Sequence, residues 1–354
     1  MPAVRLPSPP ISPEQRDLLI MRILVTGGAG YVGSHVVRTL LDAGHQVVIV
    51  DDFSSGHRLT VPDGVPVHVG RCGDAAVLDA ASQDGRPEAV MHMAARCSVS
   101  ESVEYPQIYY QNNLLESLAL MDWMVARDVP FLVHSSTCAV YGIPERQPIS
   151  EETETCPINP YGATKLAVDR AIQFYSDAKS LTGIALRYFN AAGAHPDGSL
   201  GEDKTPASNL IPRVFDVALG RAELVEVYGD DYPTPDGTGV RDYVHVLDLA
   251  AGHLAALQKL AAGHPGGVFN LGTGRGHSVL EVVEAARQIT GHPIPLQIES
   301  RRPGDPAMLV ADARWAERDL GWTAQRSQID TLVGDAWKWR SKHPNGYAPV
   351  ETNR

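Results

Sequence analysis

The stretch RILVTGGAGYVGSHVVRTLLDAGHQVVIVDD, residues 22–52, constrains this chain more than any other. An apolar run ends in Gly27, Gly30 and Gly33, an amphipathic segment follows to Gly44, and a second apolar run ends at Asp51. That order predicts strand, tight turn, helix and strand. Glycines in such a turn let a pyrophosphate approach the helix N-terminus, where unpaired N–H groups favour an anion. An acid about 20 residues further on can accept hydrogen bonds from a ribose. Asp51 stands at that place, and its charge opposes a 2′-phosphate, so the motif favours NAD over NADP.

The alternation continues through PVHVG, AVMHMAA, FLVHSS and GIALRYFN, with helical periodicity between them, including one run over residues 107–127. Alternating β and α elements predict a doubly wound parallel α/β sheet covered on both faces. After about residue 190 the chain is richer in Gly, Pro and Asp, which predicts a smaller C-terminal lobe. The expected division is an extension over 1–20, mobile and rich in proline, a nucleotide-binding domain over 21–190, and a lobe over 191–350 interleaved with late sheet elements. Met21 directly precedes the first strand and is a candidate start of the folded domain.

A net charge of −12 gives no nucleic-acid footprint. No apolar run is long enough to span a membrane. The four cysteines show no paired metal spacing and fit a reducing cytoplasm. His35, His45 and His92 do not cluster like metal ligands.

Tyr161 precedes Lys165 by four residues where Pro160 predicts a helix start, so the two side chains are neighbours on one face. A fixed positive charge beside a phenol is expected to lower its pKa and make it a proton acceptor. Upstream, Ser135, Ser136 and Thr137 lie at the C-terminal end of a strand, where doubly wound sheets bind ligands. Ser135 is expected only to satisfy loop backbone. Thr137 is the better partner for Tyr161.

With the glycine pattern, this hydroxyl run and the Tyr161/Lys165 pair, the chain resembles the extended short-chain dehydrogenase/reductase family. RYFNAAGAHPDGSLGED, NLIP, YGDDYPTPDGTGVRDYVHVLDLA, NLGTG and RRPGD resemble its UDP-glucose 4-epimerase branch from about Met21 to Tyr347. The resemblance implies a Rossmann-type fold, NAD as cofactor and a UDP-sugar as substrate. It implies reversible C4 epimerisation of UDP-galactose and UDP-glucose through a 4-keto sugar, with no metal. Tyr161 would be the acid/base, Lys165 would hold the nicotinamide ribose, and Thr137 would share the substrate proton.

The resemblance also implies positions around the ligands. Tyr31 and Val32 would lie over the pyrophosphate. Asp52, Phe53, Ser54, Ser55 and Gly56 would surround the adenosine. Arg71, Cys72, Met93, Ala94, Ala95, Asn112 and Phe189 would complete the cofactor site. Asn190, Asn209 and Leu210 would contact the UDP-sugar, Arg241 and Arg302 its diphosphate, and Asp305 the uridine ribose. Two helices, near 107–127 and 161–178, would form a homodimer interface.

Two positions qualify the resemblance. Arg71 stands where the family has an adenine-binding Asp, and can stack on the base or pair with an acid. Leu309 occupies a position where a bulky aromatic is associated with exclusion of N-acetylated sugars. It either walls the pocket or packs in the core. Cys138 and Ala139 stand where the related dehydratases carry an Asp-Glu pair, which argues against that activity. Another UDP-sugar enzyme of the same family, a UDP-N-acetylhexosamine or UDP-glucuronate 4-epimerase, and a catalytically silent NAD-binding regulator remain as alternatives.

Overall fold

The computed structural model describes residues 20–204, 207, 209–302 and 304–347. The expected extension falls, apart from Ile20, outside the described residues. So do the last three residues of the expected C-terminal lobe.

The first half builds the nucleotide side in the predicted order. β1 (Arg22–Thr26) leads into α1 (Tyr31–Asp42) and β2 (Gln46–Asp51). β3 (Val67–Val69), α2 (Ala75–Ala81), β4 (Ala89–His92) and α3 (Val99–Glu104) follow. The helical run predicted over 107–127 is not one uniform helix. It consists of α4 (Pro106–Tyr109), a π-helical turn (Tyr110–Leu115) and α5 (Glu116–Ala126). Periodicity averages over a single wide turn, so sequence alone hides it. β5 (Phe131–Thr137), α6 (Pro160–Asp177) and β6 (Thr182–Tyr188) complete this half. α6 starts where Pro160 predicts, because Pro160 follows an Asn159 cap whose side chain accepts from the Gly162 N–H at 2.8 Å.

The second half contains β7 (Asn190–Ala192), α7 (Leu210–Ala218), β8 (Val225–Tyr228), β9 (Val240–His245) and α8 (Val246–Ala261). It continues through β10 (Gly267–Leu271), β11 (Gly276–Ser278), α9 (Val279–Thr290), β12 (Leu296–Glu299), β13 (Met308–Leu309) and α10 (Ile329–Lys342).

The main sheet has seven strands in the order β10-β6-β5-β4-β1-β2-β3, and every pairing in it is parallel. Its outermost strand beside β6 therefore comes from the second half of the chain. The strands read as continuous apolar runs because both faces are covered. One face packs Val36, Val37 and Leu40 of α1 with Leu249, Leu257 and Leu260 of α8. The other packs Leu78 of α2, Leu120 and Met124 of α5, and Val168 and Ile172 of α6. A separate core joins α7, α9 and α10 around Phe215, Val282 and Leu332. A fourth cluster sits where the halves meet, built from Cys138, Tyr141, Ile149, Leu166, Phe189 and Ala311. No helix among the described residues is long and apolar enough to cross a membrane.

Candidate active site

The expected cofactor residues converge on the C-terminal ends of β1, β2 and β4. Gly27 has φ +72°, and a Cβ there would come within 2.5 Å of the Ala94 backbone nitrogen. A Cβ on Gly33 would meet the Gly27 carbonyl at 2.0 Å. The glycine loop is thus pressed against both α1 and the segment Met93, Ala94, Ala95. α1 begins at Gly30 with no side-chain cap and no acid in its first turn, leaving its N-terminus available to an anion. The donor set fits a dinucleotide pyrophosphate. Val32 is half-buried in this first turn. Tyr31 turns its hydroxyl away to donate to the Gly193 carbonyl at 2.6 Å.

Asp51 accepts from the Ala29 N–H at 2.9 Å and the Phe53 N–H at 2.8 Å. Its carboxylate braces the glycine loop and keeps lone pairs for ribose hydroxyls. Asp52 accepts from the Ser54 N–H at 2.9 Å, Phe53 adopts φ +55°, and Ser55 leads to Gly56 against Ala29. Arg71 resolves to the second of its two alternatives, an ion pair with Glu116 at 2.7 Å. Glu116 also accepts from the Gly73 N–H at 2.9 Å, so it holds the Arg71–Gly73 turn beside buried Cys72. Asn112 lies on the π turn and donates to Asn113, which clasps both the N–H and C=O of Arg96.

Thr137 ends β5, and its hydroxyl accepts from the Ala139 N–H at 3.1 Å. Tyr161 is in the first turn of α6, its ring nearly perpendicular to that of Tyr109 with the centroids 6.4 Å apart. Lys165, one turn on, is buried and donates to the Ser135 carbonyl at 2.7 Å. The expected lowering of the phenol is not what this environment produces. Burial pushes the Tyr161 pKa well up, nearby Tyr188 and Cys97 add to this, and only the Thr137 hydroxyl opposes it. Lys165 instead has its own pKa pushed down to about 8 by burial, against the pull of Asp169. Its ammonium is directed at backbone, and burial outweighs the lowering of the phenol that spacing led one to expect.

The expectation for Ser135 is also corrected. Its hydroxyl donates to Nε2 of buried His253 at 2.8 Å, since Nδ1 of that neutral ring donates to the Leu249 carbonyl, and it lies 3.1 Å from the Met93 sulfur, rather than serving the loop. His253 lies on α8, beyond the reach of local sequence reasoning.

Among the expected substrate residues, Asn190 opens β7 in register with Tyr243 of β9. Phe189 is 5% exposed and packs into the junction cluster. Asn209 precedes Leu210 at the start of α7 and donates to Glu202 at 2.6 Å. Arg241 pairs with Asp305 and donates to the Val240 carbonyl at 2.8 Å. Leu309 is in register with Arg241 and packs on the junction cluster containing Cys138 and Phe189. Arg302 lies over the Tyr228 ring at 3.7 Å. Glu116, Asp169 and Arg187 were not anticipated. Asp169 had a signal, since it follows Lys165 by four residues on the same helix.

This arrangement sets a phenol, a hydroxyl and a buried ammonium beside a dinucleotide cradle. Residues 23–272 match the family described as NAD dependent epimerase/dehydratase family. The chain belongs to that family.

Other members place it more finely within the epimerase/dehydratase family. A UDP-glucose 4-epimerase from Halalkalibacterium halodurans is 47% identical over 328 residues, covering 93% of this chain and 98% of its own. A solved UDP-glucose 4-epimerase from Bifidobacterium longum, in complex with NAD+ and UDP, has a TM-score of 0.85 and 42% identity, covering 92% of this chain and 100% of that one. A UDP-Glc/GlcNAc 4-epimerase from Campylobacter jejuni has a TM-score of 0.80 and 34% identity, covering 91% and 99%.

Proposed function

We propose that the chain is an NAD-dependent UDP-glucose 4-epimerase that interconverts UDP-galactose and UDP-glucose. The observation that carries this reading is the convergence of Thr137, Tyr161 and Lys165 beside a dinucleotide cradle. Similarity to epimerases over nearly the whole chain supports it. Residues 21–190 would hold the cofactor and residues 191–350 mainly the UDP-sugar.

In this mechanism Tyr161 takes the proton from the sugar 4-hydroxyl, directly or through Thr137. NAD, when bound, supplies a reversible hydride acceptor for C4. Lys165 holds the nicotinamide ribose and lends positive charge to the phenol's surroundings. Arg241 and Arg302 grip the diphosphate through paired hydrogen bonds while the keto sugar turns. Asp305 orients Arg241 and reaches the uridine ribose. Anchoring the nucleotide keeps the reactive ketone within the site, which is positioning by binding energy. Incubation with UDP-galactose followed by product separation tests the reading. UDP-glucose should accumulate to equilibrium without added cofactor, and its absence from the holoprotein would overturn the assignment.

Leu309 walls the sugar pocket in this reading. Leu309→Tyr is expected to lower kcat/KM for UDP-N-acetylgalactosamine relative to UDP-galactose. Overpacking costs about 1–3 kcal/mol, or roughly 5- to 150-fold. The wild type should convert the N-acetyl sugar measurably but more slowly. An unchanged ratio in the variant removes Leu309 as the wall.

The protein is proposed to act in the cytoplasm as a homodimer, in keeping with its four free cysteines. Val103, Tyr110, Leu115 and Phe174 expose apolar surface on α3, the π turn and α6, and Phe174 is 71% exposed. Phe174→Glu should therefore shift the sedimenting species from dimer towards monomer. A wild-type profile in that variant would place the interface elsewhere.

A further inference from the structure

β13 has only two residues, Met308 and Leu309, and pairs on one side with β9. Its other side is completed by a side chain. The Gln147 amide donates from Nε2 to the Met308 carbonyl at 2.8 Å, and its Oε1 accepts from the Val310 N–H at 3.0 Å. These are the backbone groups on either side of Leu309. A primary amide presents a donor and an acceptor side by side, as the edge of a neighbouring strand does. The main chain then takes over. Ile149 N–H donates to the Val310 carbonyl at 2.8 Å, and Asp312 N–H to the Ile149 carbonyl at 2.8 Å.

Leu309 is thereby bracketed. β9 sets it opposite Arg241, Gln147 holds the peptide groups before and after it, and its side chain rests on the cluster of Cys138 and Phe189. Cys138 directly follows Thr137. Displacing the backbone around Leu309 would break both hydrogen bonds to the Gln147 amide at once. We infer that Gln147 is a positioning residue for the sugar pocket: by clamping the backbone around Leu309 it sets how large a sugar the pocket admits. This rests on Leu309 being the pocket wall, as proposed above.

The experiment compares kcat/KM for UDP-N-acetylgalactosamine and UDP-galactose in holoenzyme carrying Gln147→Met or Leu309→Tyr. Gln147→Met keeps similar bulk and loses both hydrogen bonds. The N-acetyl-to-galactose ratio should rise by about 2- to 10-fold, the range expected from losing one or two modest hydrogen bonds. UDP-galactose turnover and bound NAD should stay near wild type. Gln147→Glu keeps the acceptor for Val310 but has no donor for Met308 at neutral pH. It should move the ratio the same way, and it serves if the Met variant does not fold.

If Leu309→Tyr lowers the ratio and neither Gln147 variant raises it, the clamp is overturned while the wall stands. If Leu309→Tyr leaves the ratio unchanged, the wall fails and the clamp with it. An equal fall for both sugars together with a lower Tm would make Gln147 a purely structural residue and also overturn the inference.

Discussion

Tyr161→Phe is expected to keep its fold and its NAD while losing about 10²- to 10⁴-fold in turnover, the usual worth of a positioned proton acceptor. The substitution removes one oxygen and nothing else. The ring stays in place near Tyr109, and the α6 cap at Asn159 does not depend on the phenol. In the free protein burial holds this phenol protonated. The acceptor state must therefore be produced by what surrounds it during the reaction, namely the Thr137 hydroxyl, the Lys165 charge and the ligands. Thr137→Val should be strongly impaired and Thr137→Ser should remain active, because only the latter keeps a hydroxyl at the end of β5. Turnover of UDP-galactose with bound NAD quantified alongside checks all three. Near-wild-type turnover in Tyr161→Phe would sink the proposed mechanism.

Asp169→Asn should produce the largest loss of stability. Asp169 and Arg187 form an ion pair at 2.9 Å with side chains 2% and 6% exposed. Arg187 also donates to the Tyr141 hydroxyl at 3.1 Å, and that hydroxyl donates to Asn270 at 2.8 Å. Removing one partner strands a charge in the interior, which costs about 3–5 kcal/mol. A second effect reaches the site. Asp169 raises the Lys165 pKa against the burial that pushes it down to about 8. Cys72 and Cys97 also raise it, but Asp169 leads among the charged neighbours. Without that carboxylate Lys165 loses its proton at lower pH, so the alkaline fall in activity should move to lower pH. Denaturant titration and a pH–rate profile measure the two effects. Replacing the pair together, as Asp169→Leu with Arg187→Met, should recover most of the stability but not the alkaline limb. Recovery of both would mean that Asp169 acts only through packing.

Much of the site was legible because its signals are local. Gly27, Gly33 and Asp51 lie within one strand–helix–strand unit, and Tyr161 with Lys165 within one helical turn. Spacing places such residues whatever the rest of the chain does. What spacing cannot supply is solvent. The direction of the Tyr161 shift was misread because a phenol beside a lysine looks activated until its burial is known. Partners drawn from distant segments were equally hidden. Arg71 finds Glu116 across a turn and a helix, and Ser135 finds His253 on α8. The Gln147 bracket forms only after β13 has returned to the junction. The π turn at Tyr110–Leu115 was lost for a different reason, since one widened turn barely disturbs apolar periodicity.

The origin of the sheet's outermost strand bears on how the protein is made. When β6 leaves the ribosome at Tyr188, its partner β10 does not begin until Gly267. At about 5–20 residues per second that interval lasts roughly 4–16 s. Throughout it, Ile184, Ala185 and Leu186 sit on a strand with one side unpaired, the kind of edge that recruits other chains. The nascent protein therefore passes through a stage whose sticky margin is closed only by its own later sequence. Crowded polysomes and a shortage of chaperones should harm it most in that window, before any of the chemistry exists to be tested.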